Sequence, residues 1–362
     1  VAVVLGTRPE AVKLATVVES LGDAAWIVHT GQHFDDGLAG GVLRALDFPT
    51  PDLHLDVGGT SRGAQIAATL AALEAAFSER PLRAVVVQGD TNAVLAGALA
   101  ANAIGVPLFH VEAGLRAYDR AMPEEHNRVV TDHLADWCGA PTETSRDQLL
   151  AEGITDDRIE VTGNTVVDVV PRLLPDAEAR CDLLRQHGLA ANEFVLATIH
   201  RPENTDDAEV LEVVLSELGS LPVPVVLSLH PRTASRAASF GLGALLDRVR
   251  SVPPIEPRAF LGLAAEAALW VTDSGGLQEE ASVLKRPVLV VRRSTERPEV
   301  QGTFAERVLP GAEIGSIARQ WLDDLPAVHA RLAALPTPYG DGHAGARTGD
   351  AVRRLVGEDG AG

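Results

Sequence analysis

Unbroken runs of β-branched and aliphatic residues recur along the chain, and most give way to longer segments whose apolar positions return every three to four residues. VAVVLG leads to RPEAVKLATVVESL, AAWIVHTG leads through a loop toward later helix, and RAVVVQGD leads to TNAVLAGALAANAIG. VPLFHVEAG, ADWCGAP and RIEVTGNTVVDVV continue the series. Strands apolar on both faces, with helices between them, are what a parallel sheet covered on both sides requires. The spacing predicts one doubly wound α/β domain over residues 1–168. The pattern then restarts. EFVLATIHRPEN reads as strand and loop, TDDAEVLEVVLSEL as a helix opened by Thr-Asp-Asp, and VPVVLSLHP, ALWVTDSGG and RPVLVVRRS as further strands. This predicts a second doubly wound domain over 169–339, joined to the first near VVPRLLPDAEAR, where two prolines interrupt the helix.

Open parallel sheets bind ligands outside the carboxyl ends of their strands. The first domain places Gly6-Thr7-Arg8, Gly89-Asp90-Thr91 and Glu112-Ala113-Gly114 there. The second places His200-Arg201, His230-Pro231-Arg232, Asp273-Ser274-Gly275-Gly276 and the residues from Arg292 onward. Two such edges facing one another make a cleft. No GxGxxG follows the first strand of either domain and no Walker sequence occurs, which disfavours nicotinamide and ATP sites.

Ser274-Gly275-Gly276 ahead of a helix suits a diphosphate, because glycines let the backbone N–H groups approach and the helix dipole is positive there. The same glycines also serve close packing. Glu280, just over a turn into that helix, is placed to accept two hydrogen bonds from a ribose diol; an ordinary solvated glutamate favoured by the dipole fits Glu279 and Glu280 equally. Arg297 in STERPE and Arg201 beside His200 are candidates for bidentate pairing with diphosphate. Asp90 ends an apolar strand and could equally cap the next helix. Glu112 ends its strand with no helix directly behind it. Glu124 and Glu125 follow Pro123, an ordinary helix start that accounts for one of the two.

Charge narrows the ligand classes. A net charge of −19 argues against a general affinity for nucleic acid or anionic membrane, so an anionic ligand must be held by local Arg, Lys and backbone N–H groups. Basic residues are almost all Arg, the two lysines being Lys13 and Lys285, which genomic base composition explains. Cys138 and Cys181 make neither a disulfide framework nor a zinc site and suit a reducing cytoplasm. No apolar run approaches membrane-spanning length, and the start in mid-strand without methionine leads us to expect leading residues before Val1.

GTRPEAVKL, GDTNAVLAG, HVEAGLR, MPEEHNR, PTETSRDQLL, VTGNTVVD, HRPENTDD, TDSGGLQEEA, STERPE and PYGDG occur in that order between Gly6 and Gly342. In sequence and order they resemble the non-hydrolysing UDP-N-acetylglucosamine 2-epimerases. The resemblance implies a GT-B fold, two Rossmann-like doubly wound domains with parallel sheets facing across a cleft. It implies a C-terminal helix, about 340–362, that packs back on the first domain. It further implies a cytoplasmic homodimeric isomerase that needs no cofactor or metal and interconverts UDP-GlcNAc and UDP-ManNAc by anti-elimination of UDP and re-addition. By the same resemblance Asp90, Glu112, Glu124 and His200 are the catalytic positions, with Arg8 and Lys13 at the substrate. Phe260, Ser274, Gly275, Gly276, Glu280 and Arg297 fall on the uridine, phosphate and ribose positions. A GT-B glycosyltransferase, a hydrolysing 2-epimerase and a catalytically silent nucleotide-sugar sensor are the alternatives.

One stretch departs from the family pattern. Many bacterial members carry a second, regulatory UDP-GlcNAc site built on Gln-His-Arg and an arginine of the following helix. Here the sequence reads Gln32-His33-Phe34-Asp35, and GAQIAATLAALEAAF contains no arginine. The expected outcome is hyperbolic substrate kinetics; a sigmoidal rate curve that added UDP-GlcNAc abolishes would contradict it.

Overall fold

The structure, a computed structural model, describes residues 1–33, 36–57 and 61–357, and for 32, 33 and 36–40 the backbone alone. The side chains of Gln32-His33-Phe34-Asp35 therefore lie outside the described residues. The chain divides into two compact units, Val1–Arg172 with Tyr339–Gly362, and Leu173–Pro338.

The first unit is built on seven strands: β1 Ala2–Thr7, β2 Trp26–His33, β3 Leu53–His54, β4 Val85–Gln88, β5 Leu108–Val111, β6 Trp137–Ala140 and β7 Ile159–Val161. They lie in the order β3-β2-β1-β4-β5-β6-β7 with parallel pairing. Alternation sends successive residues to opposite faces, and both faces are buried. Ala2, Val4, Val85 and Val87 enter one core with Leu73, Phe77 and Val94, while Val3, Leu5 and Val86 enter the other with Leu14, Val18 and Val352. The apolar runs of the sequence are thus strands with no solvent face.

Val352 reaches that second core from the helix Ala344–Leu355, which packs on the helix Arg8–Leu21. The approach is close: a Cβ at Gly345 would run into Thr16, and one at Gly349 into Ser20. Asp168 anchors the start of this helix by accepting from the amides of Ala344 at 3.1 Å and Gly345 at 2.7 Å. Gly345→Val is therefore expected to destabilise the first unit by about 1–3 kcal/mol through overpacking. Urea unfolding reads this as a lower midpoint at unchanged slope, and an unchanged midpoint would show that the two helices can separate at no cost.

The second unit has six strands: β8 Val195–Thr198, β9 Val225–Ser228, β10 Arg250–Val252, β11 Leu269–Thr272, β12 Val288–Val291 and β13 Ala305–Val308. Their order is β10-β9-β8-β11-β12-β13, again parallel. Val195, Ala197, Leu227, Val271, Leu289 and Val291 pack on Leu211, Val214 and Leu218 of the helix Ala208–Leu218. Asp207 caps that helix by accepting from Glu209 and Val210 amides.

Three short edge strands carry no apolar signal. β3 is two residues long, β10 is Arg-Ser-Val, and β13 is Ala-Glu-Arg-Val with its central pair exposed. An edge strand keeps solvent on one side, so its run of hydrophobics is broken. The joint also differs from expectation. The helix Val166–Leu173 runs through Pro171 and ends ahead of Pro175, so one proline, not two, interrupts it. A single lost ladder bond near the end of an eight-residue helix does not stop it. Among the described residues, no helix is long and apolar enough to cross a membrane.

Candidate active site

In each sheet the strand order reverses at one place, between β1 and β4 in the first unit and between β8 and β11 in the second. Loops diverge there and leave a crevice beyond the carboxyl ends. Arg8 follows β1, Asp90 follows β4, His200 and Arg201 follow β8, and Ser274 follows β11. These five residues therefore sit at the reversal points of their own sheets, whereas Glu112 follows β5 and Arg297 follows β12.

In the first unit Glu112 stands just beyond β5 with φ +66°, a left-handed conformation that costs a non-glycine residue roughly 1–2 kcal/mol. Its carboxylate is held on several sides. Lys13 donates to Oε1 at 2.6 Å, Gln88 donates to Oε2, and Asn164 approaches Oε1 at 3.5 Å. Lys13 comes from the second turn of the helix Arg8–Leu21. Asp90 is positioned by the helix Pro123–Leu134: Arg128 lies 2.5 Å from its Oδ2, and Asn127 donates to its backbone oxygen at 2.8 Å. Asp90 does not cap the following helix. Thr91 does so, accepting from the Val94 amide at 3.3 Å, which leaves the Asp90 carboxylate to Arg128.

The two glutamates after Pro123 have separate fates. Glu125 is buried and accepts from the amides of Ala117 at 3.0 Å and Tyr118 at 2.9 Å. It fixes the loop ahead of its own helix. Glu124 is half-buried, as is Arg8, and neither has a hydrogen-bond or ion-pair partner among the described residues. Both remain available to a ligand.

Behind these loops runs a buried ionic chain that sequence reasoning missed. His110 Nδ1 lies 2.6 Å from Asp132, and its Nε2 lies 2.8 Å from the carbonyl oxygen of Gly89, the residue before Asp90. Asp132 also meets Arg116 at 2.7 Å and the Gly114 amide at 3.2 Å. Burial opposes the Asp132 charge, but His110 and Arg116 outweigh it and hold the carboxyl below its ordinary range. The chain links the turns bearing Asp90 and Glu112 to the helix bearing Glu124.

In the second unit Asp273 is fully buried and organises the β8 loop. Its carboxylate lies 2.9 Å from His200 Nδ1 and accepts from the His200 amide at 2.9 Å, the Arg201 amide at 2.8 Å and the Asn204 side chain at 3.1 Å. Arg201 Nε donates to the Asp273 carbonyl at 2.9 Å. Burial again works against the charge, and His200 with the backbone donors prevails, so the Asp273 carboxyl lies below the usual range. His200 is thereby oriented with its Nε2 edge turned away from Asp273. The sequence places Asp273 just past a strand end, but that this strand lies beside the one preceding His200 comes only from the sheet order.

Gly275 caps the helix Gly276–Leu284. A Cβ at Gly275 would lie 2.6 Å from Glu296 Oε1 and 2.8 Å from Arg297 Nη1, so the Arg297 guanidinium rests directly against this backbone. Arg297 is fixed by Glu279 at 2.7 Å and by Glu296, and Glu296 in turn meets Arg292 at 2.8 Å. Glu279 is fully buried, which overturns its reading as a solvated first-turn glutamate. Nothing in the sequence separates it from its neighbour. Glu280, Ser274 and Gly276 are half-buried, and Phe260 is half-buried on the helix Pro257–Glu266.

Comparison with known proteins agrees with this arrangement. A family model described as UDP-N-acetylglucosamine 2-epimerase matches residues 22–353. The chain is 37% identical to the UDP-N-acetylglucosamine 2-epimerase of Methanococcus maripaludis, over 95% of this chain and 96% of that one. It is 35% identical to the UDP-2,3-diacetamido-2,3-dideoxy-D-glucuronate 2-epimerase of Pseudomonas aeruginosa, over 97% and 99%. The crystal structure of the Methanocaldococcus jannaschii UDP-GlcNAc 2-epimerase in complex with UDP-GlcNAc and UDP is similar at 35% identity and a TM-score of 0.84, covering 98% of this chain and 99% of that one. The two Rossmann-like sheets are of the GT-B class. The chain belongs to the UDP-N-acetylglucosamine 2-epimerase family.

Proposed function

We propose that the protein is a non-hydrolysing 2-epimerase that interconverts UDP-GlcNAc and UDP-ManNAc. The observation that carries this reading is the division of chemistry between the sheets. The first unit gathers Asp90, Glu112, Glu124 and Lys13 beyond β1, β4 and β5. The second offers a glycine-edged helix start with Arg297 against it, beside a His200 oriented by Asp273.

The C2 proton of the sugar is not next to a carbonyl, so a base cannot remove it directly. If the C1–O bond breaks first and its electron pair leaves with UDP, C1 becomes oxocarbenium-like and acidifies C2–H. A carboxylate takes that proton, and the C2–H pair becomes the C1=C2 bond. Return of UDP to C1, with proton delivery to C2 from the opposite face, gives the epimer. Departure of diphosphate needs preorganised donors, each worth a few kcal/mol, and Arg297 with the Ser274–Gly276 backbone fills that role. Proton loss and return on opposite faces need more than one acid–base group, and Asp90, Glu112 and Glu124 fill it, with His200 at the leaving phosphate. In this reading Glu280 accepts from the ribose hydroxyls, Phe260 lies at the uracil, and Arg8, Lys13 and Arg201 contact the substrate. The same family reading makes the enzyme a cytoplasmic homodimer, which light scattering tests as a mass near twice 38.1 kDa.

Incubation with UDP-GlcNAc in deuterated buffer, followed at C2 by NMR, tests the reaction. Deuterium at C2 in both epimers, with traces of UDP and an unsaturated glycal, is the expected result. Full turnover without exchange would refute elimination, and UDP released in step with free ManNAc would identify a hydrolysing enzyme.

A further inference from the structure

Another buried carboxylate, in the first turn of the helix that follows β1, has no role in the scheme above. Glu10 is 2% exposed and has no ion-pair partner among the described residues. Its Oε2 accepts from the Gly6 amide at 3.2 Å and the Thr7 hydroxyl at 2.7 Å, and its Oε1 meets the Thr91 hydroxyl at 3.0 Å. These bonds fasten the turn after β1 to the turn after β4, across the point where the strand order reverses. Thr91 follows Asp90 directly and also caps the helix Asn92–Ile104. The side chain of Glu10 therefore braces the turn from which Asp90 projects.

Burial pushes the Glu10 carboxyl up to about 7; the bonds from Thr7, Thr91 and Gly6 pull it down, and the negative Asp90 adds to the rise. Among the described residues, no other charged group of this corner pairs with Glu10. Arg128 of the helix Pro123–Leu134 pairs with Asp90, Lys13 of Glu10's own helix pairs with Glu112 after β5, and Arg8 is half-buried at the helix start. A neutral Glu10 can donate from Oε1 to Thr91 Oγ1, which still accepts from Val94. An ionised Glu10 puts a second negative charge beside Asp90 and raises the proton affinity of that carboxylate.

We propose that Glu10 is a positioning residue for epimerisation, acting through Thr91 to place Asp90 and through its own protonation state to set how readily Asp90 gives and takes a proton. The proposal rests on the reading of Asp90 as a proton-transfer group. Glu10→Gln reproduces the neutral acid, with its amide toward Thr91 and its oxygen toward Gly6 and Thr7.

The test is the pH dependence of kcat for epimerisation of UDP-GlcNAc. Wild type is expected to lose rate through a limb near pH 7 as Glu10 ionises. In Glu10→Gln that limb should disappear or move up by roughly one pH unit or more, whatever the absolute rate. A purely structural role would leave the limb in place, and an unmoved limb overturns the proposal. Thr91→Val, which deletes the connecting hydroxyl, should lower kcat about tenfold with KM nearly unchanged, and an unaltered kcat also overturns it. Thr91→Val keeps the idea testable should Glu10→Gln fail to fold. Wild type that turns over no UDP-sugar would sink the functional reading itself, an outcome distinct from either of these.

Discussion

Asp90→Asn is expected to lower kcat for epimerisation by about 10²- to 10⁴-fold, the range for loss of a positioned acid–base group, while UDP binding is retained. The substitution is nearly isosteric, so the turn after β4 keeps its shape, and Thr91 still caps the helix behind it. What changes is charge. Arg128, 2% exposed, loses the carboxylate 2.5 Å away and keeps Glu125 at 3.4 Å. The remaining pair limits the loss of stability, and Asn127 still holds the Asp90 backbone oxygen. A rate defect without unfolding is thus the predicted signature. Steady-state kinetics beside calorimetric titration with UDP would read both, and a variant with near-normal kcat would remove Asp90 from the proton transfers.

The same comparison of neighbours explains what could be read from sequence. Central strands were legible because both their faces are buried, so most are apolar runs such as Val85–Gln88 and Val288–Val291. β3, β10 and β13 were not, because edge strands keep a wet side. At the site, Asp90 and Glu112 were singled out because charge at the end of an apolar strand calls for a reason, whereas Glu124 was preferred to Glu125 through the family resemblance alone. Telling a ligand-facing carboxylate from a structural one was harder. Glu124 and Glu125 are adjacent and chemically identical, as are Glu279 and Glu280, yet Glu125 and Glu279 are buried against partners 7 to 8 and 18 residues away in the chain. Such partners come from tertiary folding, which no local period records. Asp90 and Thr91 show the converse: either could cap a helix, and the presence of Arg128 across the turn decides which does. His110, Asp132 and Arg116 lay beyond reach altogether, since a buried ionic chain has no spacing of its own.

Arg297→Ala should produce the other large effect, on folding and binding together. Removing one member of a buried pair typically costs about 3–5 kcal/mol, because the charge left behind is neither solvated nor matched. Here Glu279, fully buried, would lose the guanidinium 2.7 Å away, while Glu296 would keep Arg292 at 2.8 Å. A fall in thermal midpoint is therefore expected whether or not Arg297 touches ligand, and by itself says nothing about function. The double variant Glu279→Gln with Arg297→Ala separates the two roles. Deleting the charge that Arg297 balanced should restore much of the lost stability. UDP affinity should stay low, by about tenfold or more, because the donor beside Gly275 is gone and a hydrogen bond to a charged group is worth roughly 1.5–3 kcal/mol. If the double variant regained wild-type affinity for UDP, Arg297 would be a strut for the helix start, and the seat for diphosphate would have to be built from the Ser274–Gly276 backbone and Arg201 alone.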